Sequence, residues 1–299
     1  MVLLTGVTGF VGHNLSCYLQ EYQIIARSIT RQALEEAVLF FPDKSMAVVH
    51  LAGKAHDLKN TSNPQEYYQI NTELTKKVFD AFLVSNAKVF ITISSVKAIA
   101  DQVDEELAEG DLPCPVTHYG KSKLLAEQYI FSKEIPEGKR VYVLRPCMIH
   151  GPGNKGNLNL LYRVVSKYIP WPLGSFENKR SFCSIDNLMF IFKELIERED
   201  IPCGVYNVAD DDPLSTNELI GLIAQCHYRK PTIWNISKGF IEGLATFGDI
   251  LHLPFNSERL QKLTSSYVVS NAKIKAALGK PLPISSRAGL IKTFKSFNN

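Results

Sequence analysis

M-V-L-L-T-G-V-T-G-F-V-G, Met1 to Gly12, is the stretch that decides the fold. An apolar run too short for a helix meets glycines at 6, 9 and 12, and an amphipathic pattern follows over residues 13–22. That order predicts a strand, a tight turn and a helix. Glycines suit such a turn because the backbone must bend sharply, approach a pyrophosphate closely and let the helix pack on its strand, with the diphosphate at the helix N-terminus. The stretch therefore predicts a dinucleotide site, with Gly6, Thr8, Gly9, Phe10, Val11 and Gly12 along the turn. No Lys or Arg precedes Arg27 and the glycines break the apolar run, so this start lacks the make-up of a secretory leader.

Outward from that turn, composition sets the frame. A chain of 299 residues with 45% hydrophobic content can bury a sizeable core, as one large α/β domain or a cofactor domain with a smaller lobe. The net charge of +3 comes without a Lys/Arg block, which points away from nucleic acid and membrane surfaces and toward a small anionic ligand. Six scattered cysteines (Cys17, Cys114, Cys147, Cys183, Cys203, Cys226) include no C-x-x-C pair, so they read as free thiols in a reducing cytoplasm. No apolar run approaches the ~18 residues of a membrane span. His50, His56 and His150 lack metal-ligand spacing and are read as strand-end or loop histidines, so no metal is expected.

The second strand is expected over residues 23–27. Nicotinamide-binding turns usually place an acid near its end for the adenosine ribose, and here Arg27 and Ser28 stand there, with Arg31 beyond. A guanidinium matches a 2′-phosphate, which favours NADP over NAD. Residues 29–46 are too few for a full helix-strand unit, and 37–41 are expected to form only a stub of strand. A-V-V-H-L-A, residues 47–52, reads as a buried parallel strand ending in Gly53. Residues 64–85 predict one long helix with Asn63 as its cap, residues 88–93 a further buried strand running into Ser94-Ser95, and 119–133 another helix. Spacing of four puts Tyr119 and Lys123 on one helix face. Tyr129 and Lys133 share that spacing, so context must separate the pairs: Tyr119 opens its helix near the strand ends, where Ser95 lies.

With T-G-V-T-G-F-V-G, the H-L-A-G strand end at residues 50–53, Ser95, and Tyr119 with Lys123, the chain resembles the extended short-chain dehydrogenase/reductases of the NAD-dependent epimerase/dehydratase family. The likeness runs nearly the whole length. L-R-P-C-M-I-H-G-P-G at 144–153, Asn157, W-P-L-G-S-F at 171–176, Arg180-Ser181 and Ser257-Glu-Arg259 resemble that family's nucleotide-sugar branch. S-S-V-K at 94–97 resembles bacterial surface-polysaccharide enzymes labelled UDP-glucose 4-epimerases, some of which look like UDP-4-keto-6-deoxy-hexosamine reductases. The resemblance implies a doubly wound parallel α/β fold of Rossmann type with a smaller mixed α/β lobe. It implies redox chemistry at C-4 of a UDP-linked hexose or 6-deoxy-hexosamine with NADP or NAD, net 4-keto reduction standing ahead of 4-epimerisation. A nicotinamide-sensing regulator would be expected to lose the Tyr/Lys pair, which this chain keeps.

The resemblance assigns residues. Tyr119 would be the acid or base for the C-4 oxygen, Ser95 a donor to that oxygen, and Lys123 both a ribose ligand and a cation that lowers the phenol. A tyrosine of pKa ~10 brought toward 7 needs about 4 kcal/mol of preferential phenolate stabilisation. Leu51, Ala52, Gly53, Asn71 and Pro146 would border the cofactor. Ser94, Asn157, Pro172, Leu173, Arg180 and Arg259 would border the substrate, the two arginines against the diphosphate; Lys155 reads as a solvated loop charge. Dehydratases of the family carry an Asp-Glu pair after the Ser/Thr, whereas Val96-Lys97 follow here, so dehydration is disfavoured.

Residues 1–155 are expected to be mainly the dinucleotide-binding domain and 156–299 mainly the nucleotide-sugar lobe, with a strand at 204–208 returning to the main sheet. Helices are expected over 158–168, over 186–198 with Asp186 as cap, and over 215–226 behind a Ser215–Glu218 capping box. Apolar residues on several sides of the helices at 64–85 and 119–133 (Val78, Phe79, Phe82, Leu83; Leu124, Leu125, Tyr129, Ile130) raise two alternatives. Either they form a four-helix homodimer interface, as family members do, or they pack on the sheet.

Overall fold

The computed structural model describes residues 1–55, 63–154, 156–251, 253 and 255–298. Its strands are β1 (Val2–Thr5), β2 (Ala26–Ser28), β3 (Ala47–His50), β4 (Val89–Ile93), β5 (Glu106–Leu107), β6 (Arg140–Pro146), β7 (Met148–His150), β8 (Phe182–Ser184), β9 (Gly204–Val208) and β10 (Val268–Val269). Its helices are α1 (Phe10–Glu21), α2 (Arg31–Glu35), α3 (Pro64–Tyr67), α4 (Leu74–Val84), α5 (His118–Phe131), α6 (Asn157–Ser166), α7 (Ile185–Glu197), α8 (Thr216–Cys226), α9 (Lys238–Ile250), α10 (Ser257–Thr264), α11 (Ala272–Leu278) and α12 (Ser286–Lys295).

Six strands pair in parallel in the order β2-β1-β3-β4-β6-β9. Short β-branched and apolar strands of this kind bury both faces, and period-two alternation divides their side chains between two cores. Val2, Leu4, Val49 and Ile91 face Leu15 and Leu19 of α1 and Leu188, Ile191 and Phe192 of α7. Leu3, Val48, Phe90 and Val143 face Val78, Phe79 and Phe82 of α4 and Ile130 of α5. Each such side chain contributes about 1.5–3 kcal/mol by leaving water. The fold is thus the doubly wound α/β fold, and its order reverses between β1 and β3, where sheets of this type open a ligand crevice at the carboxyl ends of the strands.

Sequence and structure differ in informative places. The second strand lies at Ala26–Ser28, because residues 21–25 spend their length on the helix end and a left-handed Gln23 at φ 59°. Residues 37–41 form no strand; Leu34 and Leu39 turn into the second core instead, and β2 is left as the sheet edge. The helix expected over 64–85 is interrupted by a π-helical turn at Tyr68–Glu73. Ser184, not Asp186, caps α7, accepting from the Asp186 N–H at 3.3 Å, while the Asp186 carboxylate receives Lys292. The Ser215–Glu218 capping box is present.

The second half does not form a separate block. β9, α7 and α11 belong to the main sheet's layers. A smaller core joins Leu158 and Tyr162 of α6, Ile220 and Ile223 of α8 and Leu290 and Phe294 of α12, and a fourth joins Leu173 to Ile241, Ala245 and Leu260. Val78, Phe79, Phe82 and Ile130, half of the residues read as spare apolar surface, are sheet-facing core, whereas Leu125 is 44% exposed. An open depression on the outer side of α4 and α5, lined by Tyr68, Thr72, Lys76, Leu125, Gln128 and Tyr129, lies away from the strand ends. No helix among the described residues is long and apolar enough to cross a membrane.

Candidate active site

The glycine turn leaves β1 through Gly6 at φ 69° and returns by a Gly9 N–H to Gly6 carbonyl bond of 3.1 Å. A Cβ on Gly6 would lie 2.7 Å from the backbone of Leu51 and Ala52, and one on Gly12 would lie 2.2 Å from the Gly6 carbonyl oxygen. These two positions exclude side chains. Gly9 caps α1 without a side-chain hydrogen bond, and the first turn carries no acid, so the N–H groups of Phe10, Val11 and Gly12 stay available at an uncompensated helix terminus. Thr8 and Gly9 are exposed beside them. This cradle fits a dinucleotide diphosphate.

The neighbouring strand end is fixed from within. Thr5 Oγ1 accepts from the Leu51 and Ala52 N–H groups, at 3.0 Å each, and contacts His50 Nδ1 at 2.8 Å; His50 Nε2 contacts Thr75 Oγ1 at 3.1 Å. Burial, and secondarily the Lys123 charge, lowers His50 to about 3, so it is a neutral hydrogen-bonding ring. Thr75 Oγ1 donates to the Asn71 carbonyl at 2.8 Å inside the π-helical turn. Sequence reading identified neither Thr5 nor Thr75; a Thr at a strand end before a glycine turn, and another one turn after Asn71, were the available signals.

Asn71 is fully buried, its Oδ1 accepting from the Lys54 N–H at 2.8 Å and its Nδ2 donating to the Lys54 carbonyl and Ser122 Oγ at 3.1 Å each. A Cβ on Gly53 would lie 3.1 Å from Asn71 Oδ1 and 3.2 Å from Lys123 Nζ, so a bare backbone runs past both groups. Thr117 caps α5 by accepting from the Gly120 N–H at 3.1 Å, which sets Tyr119 in the first turn. Lys123 is 8% exposed and donates to the Ile93 carbonyl at 2.9 Å, at the end of β4. Burial lowers its ammonium to about 8, against the opposing pull of Glu127.

The Ser95 hydroxyl faces the Tyr119 phenol, whose ring meets Tyr67 edge-on at 6.1 Å. Burial raises the phenol, Ser95 opposes, and Tyr67 adds to the rise. The sequence expectation that Lys123 draws the phenol down is therefore not met in the chain alone, since the ammonium is turned to Ile93 and burial prevails. The rival pair is elsewhere: the Tyr129 hydroxyl donates to the Asp80 carboxylate at 2.7 Å, and Lys133 lies over the Tyr129 ring at 4.7 Å on the surface. Ser94 is buried at 3% exposure, with its hydroxyl unpartnered among the described residues. Pro146 ends β6, buried and paired in register with Val208.

The lobe residues are placed differently. Leu173 is core, Pro172 is half-buried, and Arg180 Nε donates to the Ser265 carbonyl at 3.0 Å, with a second guanidinium bond to the Lys262 carbonyl at the end of α10. Arg259 is exposed on the first turn of α10. Lys97, to which the sequence reading gave no site role, lies 4.5 Å over the Tyr267 ring and donates to the Asp101 carbonyl at 2.7 Å. Burial holds it below its ordinary range, Asp101 opposing and the Arg180 charge adding. His56, Lys155 and the Asn157 side chain lie outside the described residues. Arg27 is exposed on β2, whereas Arg31 is engaged by Glu35 at 2.9 Å.

The model of the NAD-dependent epimerase/dehydratase family matches residues 2–209. A UDP-glucose 4-epimerase of Vibrio cholerae is 32% identical over 99% of this chain and 95% of its own length. A GDP-6-deoxy-D-mannose reductase of Pseudomonas aeruginosa is 28% identical over 75% of this chain and 79% of its own. The crystal structure of UDP-N-acetylglucosamine 4-epimerase from Bacillus cereus superposes with a TM-score of 0.76 at 19% identity, covering 100% of this chain and 99% of that one.

Proposed function

Since the chain belongs to the NAD-dependent epimerase/dehydratase family and is an enzyme of it, we propose that it performs NADPH-dependent reduction of a 4-keto group on a UDP-linked hexose or 6-deoxy-hexosamine destined for a surface polysaccharide. The observation that carries this reading is that Ser95 faces Tyr119 at the strand ends, one helical turn from the Lys123 that lies against Gly53. Bound there, the nicotinamide supplies the two-electron redox partner for C-4. Tyr119 delivers its hydroxyl proton to the C-4 oxygen or recovers it, and Ser95 donates to the same oxygen and positions it. Lys123 and Asn71 hold the ribose side, with the bare backbone of Gly53 between them. Lys123 would hold the ribose of a bound dinucleotide, and its ammonium there would oppose the rise that burial imposes on Tyr119. Arg180, Lys97 and Arg259 receive the diphosphate.

Arg27, next to the last residue of β2, where no acid stands, supports NADPH as the cofactor. A second reading, 4-epimerisation with a retained NAD, is supported by the near full-length likeness to the Vibrio cholerae enzyme. The two are separated by releasing and weighing whatever nucleotide the purified protein carries. An empty site that takes NADPH more tightly than NADH, with turnover of a UDP-4-keto sugar, is the expected result. Stoichiometric NAD overturns the reductase in favour of the epimerase. A homodimer through the outer surfaces of α4 and α5 is part of the proposal, and sedimentation giving monomer alone at micromolar concentration removes it.

A further inference from the structure

Glu127 and Arg145 form a buried pair that none of the chemistry above uses. Glu127 is 4% exposed and Arg145 5%, and the Arg145 Nε donates to both carboxylate oxygens, at 3.0 and 3.1 Å. An arginine and a glutamate removed from water cost more in desolvation than their attraction returns, unless the pair serves something else. Its place indicates what. Glu127 follows Lys123 by four residues on α5, which stacks the two side chains on one helix face, and Arg145 sits on β6, the strand next to the Ile93 carbonyl that receives Lys123. Lys123 itself is nearly enclosed, where an ammonium without a compensating anion loses its proton.

We infer that Glu127, locked in place by Arg145, is a positioning residue that keeps the Lys123 ammonium charged and aimed at the active-site edge of the sheet. The groups facing Lys123 support this assignment. His50 at the end of β3 is a neutral ring, Tyr119 on its own helix is a phenol, and Lys54 is engaged by Glu66. Arg145, from β6, gives Nε and Nη2 to the Glu127 carboxylate, and its buried Nη1 has no partner among the described residues. Among the described groups, Glu127 is the one that raises Lys123 while burial lowers it. Without Arg145 the carboxylate would be a lone buried charge and would not persist as an anion. The pair thus fixes a carboxylate one helical turn from the Lys123 ammonium. The inference rests on the proposed role of Lys123, and it can fail separately from that role.

The test reads Lys123 directly. Competitive amine labelling of the full chain across the neutral and alkaline range, with the Lys123 peptide quantified by mass spectrometry, should give a midpoint near about 8 in the wild type. In Glu127→Gln the midpoint should fall by about one pH unit, and Glu127→Asp should restore part of it. Because either single change leaves one member of the pair alone and destabilises the fold, the double variant Glu127→Gln/Arg145→Met is the decisive one. Its thermal stability should recover toward the wild type while its Lys123 midpoint stays low. A double variant whose midpoint matches the wild type shows that the pair is only structural and overturns the inference, as does an unchanged midpoint in folded Glu127→Gln. Fluorescence titration with NADPH and NADH, run in parallel, should lose binding at high pH along the same midpoints. If the labelling midpoint moves while neither dinucleotide binds, the cofactor reading fails and the assignment of Glu127 stands.

Discussion

At the carboxyl edge of the sheet the polar side chains engage one another: Ser95 faces Tyr119, and Asn71 is bonded to Ser122 and Lys54, Thr5 to His50, and Glu127 to Arg145. In the lobe, the polar side chains proposed for a ligand are bonded to the lobe's own backbone, as Arg180 is to the carbonyls at the end of α10, or stand in solvent, as Arg259 does. The first region is organised before anything binds, so its geometry follows from the chain. In the second, a diphosphate must compete with carbonyls that already hold the guanidinium, and binding energy is spent on that exchange. Substitutions in the two regions should consequently fail in different ways.

The largest contrast is expected between the two Tyr-x-x-x-Lys pairs. Tyr119→Phe keeps the ring against Tyr67 but removes the acid-base hydroxyl, and turnover should fall by about 10²–10⁴-fold with dinucleotide binding intact. Tyr129→Phe loses only an exposed bond to Asp80 and should turn over within about twofold of the wild type. Equal losses in the two variants, measured as kcat beside a cofactor titration, would take the acid-base role from Tyr119.

Within the lobe, Arg180→Met should raise KM about 10- to 100-fold, the range of a charge-assisted bond, and should also lower the melting temperature because α10 loses its tie. Arg259→Met should raise KM by a few fold and leave the melting temperature alone. If Arg180→Met changes stability but not KM, its guanidinium is a clamp for α10 and not a diphosphate ligand.

The organised edge should carry its own signature at acid pH. His50 is fully enclosed and held down to about 3, so the folded state resists its protonation while the unfolded chain does not. Stability from this group is complete above the ordinary histidine range near 6.5 and is lost as pH falls through it toward 3. At pH 5 the loss should reach about 2 kcal/mol in urea unfolding, and His50→Gln should flatten that slope between pH 6.5 and pH 5. A slope that His50→Gln leaves unaltered would assign the acid sensitivity to other groups.

How much of this was legible beforehand follows the same divide. The glycine turn, the buried strands and the Tyr119–Lys123 spacing are local signals, in which a few adjacent residues dictate both backbone and role. The π-helical turn at Tyr68–Glu73 was not legible, because it arises from partners distant in sequence: Asn71 bonds to Lys54 and Ser122, and Thr72 to the Ser122 carbonyl. The Glu127–Arg145 pair was missed for the same reason, joining residues eighteen apart through strand-to-helix packing. Arg180 was legible as a cation and illegible as a clamp, since what it grips is a helix end more than eighty residues downstream.

The smallest expected effect concerns Arg27, proposed for the cofactor, which fits neither class. Arg27 is exposed on the edge strand β2, held by its strand but not by a side-chain network, and so resembles the lobe arginines although it lies at the organised edge. Arg31, the next cation along, is engaged by Glu35 and is a poorer substitute. An exposed guanidinium on a 2′-phosphate gains a charge-assisted bond that solvent weakens, and Arg27→Ala should weaken NADPH about tenfold while NADH changes less than twofold. Because the contact is screened, raising salt should shrink the wild-type preference for NADPH and leave the variant indifferent. Fluorescence titrations of both cofactors at two ionic strengths measure this directly. Equal weakening of NADPH and NADH would mean that Arg27 supports the adenosine end without reading the phosphate, and the preference for NADPH would then lose its residue.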